Sequence, residues 1–241
     1  MTLFAATPLT QTNSNGQAAI LIHGLASHPL VLNGIRRRLL KLDFFVSSSY
    51  YPFMSADVDD ILVRLHSAIA HVPSAYTLHF VTHSVGALMA RAYISRYSPP
   101  NIGRLVMLAP PNHGTPLIDR FGDWPLFRSI LGSIASQLGT RADCLPQRLP
   151  SPAYPTGIIA GKRTWFPFSH WWLPEPHDGL VPLSSTFLPT MTDHITVPYS
   201  HRVMISIPAV QQEVVHFLQT GSFSQGRFVH TPLKSFANVA H

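Results

Sequence analysis

Cysteine is almost missing from this sequence: Cys144 is the only one in 241 residues. A single thiol excludes an intramolecular disulfide framework and any metal site built on several thiolates. Charged residues are also few, at 12% against 46% apolar. Even so, no apolar run reaches the roughly 18 residues of a membrane-spanning helix. Acidic residues are scarcest, 11 against 17 Lys and Arg, and that deficit accounts for the net charge of +6. The basic residues gather once, at Arg36-Arg37-Arg38 with Lys41. This cluster reads as a solvated helix face, with peripheral contact to an anionic membrane surface as the alternative. No basic and aromatic interleaving marks a nucleic-acid platform, so no nucleic-acid partner is expected. The opening stretch MTLFAATPLTQTNSNG lacks the basic start and long apolar core of a secretory signal, which points to a cytoplasmic protein. Nothing in the sequence specifies an oligomeric state.

What is present is an alternation. Residues 18–22 form a short apolar run ended by His23-Gly24, the pattern of a buried strand. A basic and apolar helix is expected over 30–41, strand formers over 44–47, and a helical period over 57–71. Strands at 76–81 and 104–109 bracket a helix at 85–96. The order β-α-β-α-β-α-β implies an α/β fold with a mostly parallel sheet and crossover helices. The second half is less regular. Residues 124–138 place Phe127, Ile130, Leu131, Ile134, Ala135 and Leu138 on one face of an expected helix. Strands are expected at 156–160 and 194–197, and a closing helix at 209–218. Residues 162–177 form a loop rich in aromatics, among them Trp165, Trp171 and Trp172. One domain is expected over 18–221, with a lead-in over 1–17, a cap insertion over about 115–152 and a loose tail over 222–241.

Thr82-His83-Ser84-Val85-Gly86 sits between an expected strand and an expected helix. A serine nucleophile raised on a sharp strand-to-helix turn needs small residues around it, which is the physical content of G-x-S-x-G. Gly86 fits that pattern, and Thr82 departs from it. On these five residues alone, Ser84 is either a helix cap or a nucleophile.

Several segments jointly decide between them. Ile22-His23-Gly24-Leu25 follows the first strand, and the serine pentapeptide follows a later one. Leu108-Ala109-Pro110-Pro111-Asn112-His113-Gly114 comes after the next strand, Asp178-Gly179-Leu180-Val181-Pro182 further on, and Ser200-His201 late. In this order they resemble the α/β-hydrolase family, on its lipase and esterase side, over about residues 18–220. The resemblance implies an α/β-hydrolase fold with a small helical cap, and Ser84 as nucleophile. It implies a small-molecule or lipid ester as the binding partner; no H-E-x-x-H or Cys/His spacing marks a metal site, so no metal and no cofactor are expected.

The family's order is serine, then acid, then histidine. Asp119 and Asp123 flank the amphipathic segment, Asp143 lies in the cap, and Asp193 precedes a strand at the wrong end of the sheet. Asp178 opens the loop that matches the family's acid. Among the later histidines, His194 starts a strand, His216 lies within a helix, and His230 and His241 lie in the tail. His201 alone follows a strand at its carboxyl end, where catalytic loops gather. The resemblance also assigns an oxyanion hole to the backbone N–H groups of Leu25 and Val85. Phe127, Ile130, Leu131, Trp165 and Trp171 are the expected apolar substrate contacts. The expected activity is serine hydrolysis of carboxylic esters. An acyltransferase or thioesterase on the same residues, and a non-catalytic binding protein of this fold, are the alternatives.

Overall fold

The computed structural model describes residues 15–232 apart from 26, 49, 53–55, 125–131, 165–167 and 174–175. The chain runs β1 (Gln17–Ile22), α1 (Asn33–Leu40), β2 (Phe45–Ser48), α2 (Val58–Ile69), β3 (Thr77–His83), α3 (Gly86–Tyr97), β4 (Ile102–Leu108), α4 (Pro116–Phe121), α5 (Leu145–Arg148), β5 (Thr156–Gly161), β6 (Asp193–Val197), α6 (Pro208–Thr220) and β7 (Val229–His230). Among the described residues, no helix is long and apolar enough to cross a membrane.

The central strands are apolar because both their faces are covered, as parallel sheets require. Alternate residues of β1 go to opposite layers. Ala18, Ile20 and Ile22 pack with Ile61, Leu62 and Leu65 of α2 and with α3. Ala19 and Leu21 pack with Ile35 and Leu39 of α1 and with Val210, Val214 and Phe217 of α6. Local signals fix the helix ends. The Asp57 carboxylate accepts from the N–H of Asp60 at 2.8 Å, and Asp59 and Asp60 complement the dipole of the first turn of α2. Pro208 opens α6, and Gly221 closes it at φ 86°, a left-handed cap that suits glycine.

The seven strands lie in the order β2-β1-β3-β4-β5-β6-β7. Strands β1 to β6 are parallel, and β7 pairs antiparallel with β6. Chain progression therefore reverses at β1: β2 lies on one side of it and β3 on the other. Loops leaving the carboxyl ends of β1 and β3 diverge at such a switch point and leave a crevice between them. His23–Leu25 and Ser84 occupy those two loops.

Three expectations differ from the structure. The helix expected over 30–41 starts as a 3₁₀ turn, Pro29–Leu32, before α1 begins. Of the helix expected over 124–138, residues 125–131 lie outside the described residues, and Ser133–Gln137 is a 3₁₀ turn. The segment 222–232, read as a loose tail, packs down: Phe223 is buried against Phe217, and β7 completes the sheet. Its single buried aromatic ring and two-residue strand are too short to show as periodicity.

Candidate active site

Ser84 lies between β3 and α3 at φ 54°, a left-handed conformation that costs a non-glycine residue about 1–2 kcal/mol. Two close approaches hold it there. A Cβ added to Gly24 would lie 2.9 Å from the Ser84 Cβ, so the loop after β1 passes directly against the serine. A Cβ on Gly86 would meet the carbonyl oxygens of Ile22 at 2.5 Å and His23 at 2.7 Å. Glycine at both positions lets β1 and the start of α3 cross. The position two before Ser84 is fully buried. Thr82 fits there inside the strand, its hydroxyl donating to the Val106 carbonyl at 3.3 Å. The Ser84 N–H donates to the Leu108 carbonyl at 2.9 Å, which ties the turn to β4.

A continuous chain of side chains leads away from Ser84. Its Oγ lies 2.9 Å from Nε2 of His201, and Nδ1 of His201 lies 2.7 Å from Oδ2 of Asp178. Asp178 follows β5 and His201 follows β6, so neighbouring strands deliver both to the same end of the sheet. The other carboxylate oxygen of Asp178 accepts from the N–H groups of Leu180 at 3.0 Å and Val181 at 2.8 Å. Gly179 at φ 102° makes that turn. The His201 N–H donates to the Asp178 carbonyl at 3.0 Å, so backbone and side chain both fix the pair. Both side chains are almost fully buried.

Two further histidines brace the site. His83 is buried, and burial is the main reason its pKa is pushed down to about 3. A neutral ring facing a carbonyl must donate, so His83 Nε2 donates to the His201 carbonyl at 3.0 Å. Its ring also packs 4.9 Å from that of His201. Burial likewise lowers His23 to about 4, and its Nδ1 donates to the Gly24 carbonyl at 2.9 Å. Tyr51 stacks on His23 and donates its hydroxyl to the His23 carbonyl at 3.1 Å. The loop ending at Leu25 is thereby held from two sides. Leu25 and Val85 both line the cavity at Ser84, and neither N–H has an acceptor among the described residues.

The cavity measures about 640 Å³, within the usual range for small-molecule sites. Leu117, Ile118, Leu138 and Leu180 give it apolar surface. Trp171 does not reach it: the side chain is 67% exposed and packs on Phe168 and His170. Its 3₁₀ turn, Ser169–Trp171, turns the indole outward, which loop composition alone does not reveal. Phe127, Ile130, Leu131 and Trp165 lie outside the described residues. The carboxylates set aside as acids have other tasks. Asp119 accepts from the N–H and hydroxyl of Thr140, and Asp143 pairs with Arg141. Arg38, from the basic cluster, donates to Gln211 of α6.

Sequence reasoning missed Arg91. It lies on α3, behind Ser84, and is buried with no carboxylate partner among the described residues. Burial lowers its pKa to about 10, which still leaves it charged at neutral pH. It donates to the carbonyl of Leu149 at 2.6 Å, those of Pro150 and Asn112 at 3.3 Å, and the Asn112 side chain. Asn112 in turn donates to the Thr186 carbonyl at 2.8 Å. A guanidinium thus fastens the β4–β5 insertion to the helix behind the serine. The available signal was an arginine inside an otherwise apolar helix, Gly86–Tyr97.

No family model matches the chain, and no curated protein sequence does either. Solved structures do. Phospholipase PlaB from Legionella pneumophila superposes with a TM-score of 0.63 at 16% identity, over 86% of this chain and 60% of that one. The mature lipase BlEst2 from Bacillus licheniformis gives 0.62 at 17%, over 85% and 91%. The metagenomic carboxyl esterase MGS0156 gives 0.61 at 15%, over 86% and 76%. This chain therefore spans about 60% of the phospholipase's length and most of the other two. With a seven-stranded, mostly parallel sheet that reverses at β1, and helices on both faces, the chain has the α/β-hydrolase fold.

Proposed function

We propose that the protein is a serine hydrolase of carboxylic esters. The observation that carries this reading is the hydrogen-bonded chain Asp178–His201–Ser84, which ends at the wall of a largely apolar cavity. Serine is a weak nucleophile, and the imidazole 2.9 Å from its oxygen removes the proton as attack proceeds. Ser84 Oγ bonds to the ester carbonyl carbon, and its proton passes to His201 Nε2. The Asp178 carboxylate holds the ring in the required tautomer and stabilises the imidazolium. The negative charge on the carbonyl oxygen is met by the N–H groups of Leu25 and Val85, fixed donors that need no reorganisation. Collapse breaks the ester bond, and the alcohol leaves with the proton from His201. Water, deprotonated by the same histidine, then releases the acid and restores Ser84. The similar structures, a phospholipase, a lipase and a carboxyl esterase, agree with ester chemistry. An acyltransferase or thioesterase would share the acylation half.

A fluorophosphonate probe tests the reading. It should add to Ser84 by mass, fail on Ser84→Ala and react slowly with His201→Ala. Turnover of a p-nitrophenyl ester should fall by about 10⁴ or more in either variant. Neither adduct nor turnover in folded wild-type protein would overturn it.

A further inference from the structure

The cavity at Ser84 has two unlike walls. The β4–β5 insertion and the acid loop supply one: Leu117, Ile118, Leu138 and Leu180. The polar atom on this wall is already engaged, because the Thr115 hydroxyl donates to the Leu180 carbonyl at 2.7 Å. The other wall is built where the turn Pro29–Leu32 packs on the turn Met204–Ser206. It presents Ser27, His28, Arg202 and Ser206 together with the apolar Val31 and Ile205. Ser84 and His201 line the same cavity, so a bound molecule would meet an apolar wall and a mixed wall that carries the cavity's arginine.

Arg202 is the permanent charge of this mixed wall. It directly follows His201 and lies close enough to lower the pKa of His83, though less than burial does. It has no ion-pair partner among the described residues, and no Asp or Glu among them lines the cavity. A guanidinium that lines this cavity, with the nearby Asp178 carboxylate already engaged by His201 and by the N–H groups of Leu180 and Val181, is complementary to an anion. A hydrocarbon wall facing it suits an acyl or alkyl chain.

We propose that the substrate of this site is an ester carrying a phosphate or carboxylate on the side of the ester bond away from its hydrocarbon, and that Arg202 binds that anion. The proposal rests on the ester-hydrolase reading above. It makes Arg202 a specificity-determining residue rather than part of the proton relay. The anion could belong to a lipid headgroup or to a small soluble ester, and the chemistry of recognition is the same.

Matched pairs of substrates test it: 1-butanoylglycerol against its 3-phosphate, which stay monomeric, and 1-dodecanoylglycerol against its 3-phosphate, which aggregate. A carboxylate pair, butanoyl glycolate against its methyl ester, completes the set. The wild type should favour the anionic member by about threefold to fivefold in kcat/KM, the upper scale of one solvent-exposed charge pair. Arg202→Gln should bring that ratio to about one, and Arg202→Lys should restore part of it. Arg37→Gln, on α1 and away from the cavity, should keep the wild-type ratio and so controls for net charge. A preference in the soluble pairs that Arg202→Gln abolishes supports the proposal. If both chain lengths show it, both sources are accepted. A preference seen only with aggregates and retained in Arg202→Gln overturns it, since attraction to a charged surface then suffices. Equal turnover of neutral and anionic esters overturns it and leaves the hydrolase reading intact. Absence of turnover and of fluorophosphonate labelling overturns both.

Discussion

Two aspartate–histidine pairs stand at opposite ends of the same sheet. At the carboxyl end, Asp178 and His201 meet at 2.7 Å with side chains 1% and 6% exposed. At the amino end, Asp193 and His230 meet at 3.1 Å with side chains 16% and 25% exposed. A serine belongs to each. Beyond His201 stands the Ser84 hydroxyl, which can give up a proton to the ring. Beyond His230 stands the Ser224 backbone carbonyl, 3.1 Å from Nε2, which can only accept one. The Ser224 hydroxyl is turned away and donates to Glu213. The same three residue types therefore give a hydrogen-bonded chain ending on a serine hydroxyl in one place, the proposed proton relay, and a clamp in the other. What differs is which atom of serine faces the ring, and that is set by backbone. Ser84 is held at positive φ beside a cavity, whereas Ser224 is pinned through its N–H to the Glu213 carboxylate at 2.8 Å.

The largest expected contrast comes from one substitution made twice. Asp178→Asn keeps the shape but lets His201 take the wrong tautomer, and kcat should fall by about 10⁴. Asp193→Asn removes a carboxylate that accepts from the N–H groups of His194 and Phe223, both at 2.8 Å. It should leave turnover within about twofold and cost about 1–3 kcal/mol of stability. Ester turnover and urea denaturation of both variants check this. Comparable loss of activity in the two would erase the distinction between relay and clamp.

The two pairs were not equally legible in the sequence. Asp178 and His201 could be located because each follows a strand, and the order of short motifs supplied the rest. Asp193 and His230 were set aside for good reasons, one at the amino end and one in the tail. No local signal says that these two meet, because β7 is only two residues long and returns antiparallel. The cavity was least legible. Ile118, Leu138, Val31 and Arg202 converge from four separate segments, and Val31 is carried by a 3₁₀ turn, which has no apolar period of its own. Counting aromatics pointed instead to Trp171, which faces solvent.

Acid should weaken both ends together, by a smaller margin. Burial lowers the pKa of His83 and His194 to about 3 and of His79 to about 4. Each ring is held neutral by the fold, while the unfolded chain binds a proton near pH 6.5. Unfolded protein therefore takes up more protons between pH 6.5 and about 4. Stability is complete above that window and declines through it, each histidine adding a slope of about 1.4 kcal/mol per pH unit. His194 offers the cleanest test. Its Nε2 donates to the Thr186 hydroxyl at 3.0 Å, since that hydroxyl is itself committed to the Leu183 carbonyl. His194→Gln can keep that donor without the titration. Urea midpoints between pH 7.5 and 5 should fall for the wild type and fall less steeply for the variant. Midpoints that stay flat would mean these rings find protons without opening the fold.

The smallest effect runs the other way, at His230. Burial alone would lower its pKa, but the Ser224 carbonyl and the Asp193 carboxylate outweigh burial and raise it. Both ring nitrogens face acceptors, so the protonated form is the one that fits. A raised folded value stabilises below the unfolded value near pH 6.5 and loses that contribution as pH climbs through the folded value. The clamp over residues 223–230 should therefore loosen toward alkaline pH, where the buried histidines no longer matter. The change should be modest. His230 is a quarter exposed, and Glu213 independently holds the Ser224 N–H and hydroxyl in the same range of pH. Amide exchange of Phe223 and Ser224, corrected for the intrinsic rate, should lose about threefold in protection between pH 6 and 8.5, and His230→Gln should remove that dependence. Ester turnover by His230→Gln should match the wild type across the same range. A change in its pH profile would mean that the clamp at the amino end of the sheet communicates with the relay at the carboxyl end, which the separation of the two pairs by the length of β6 argues against.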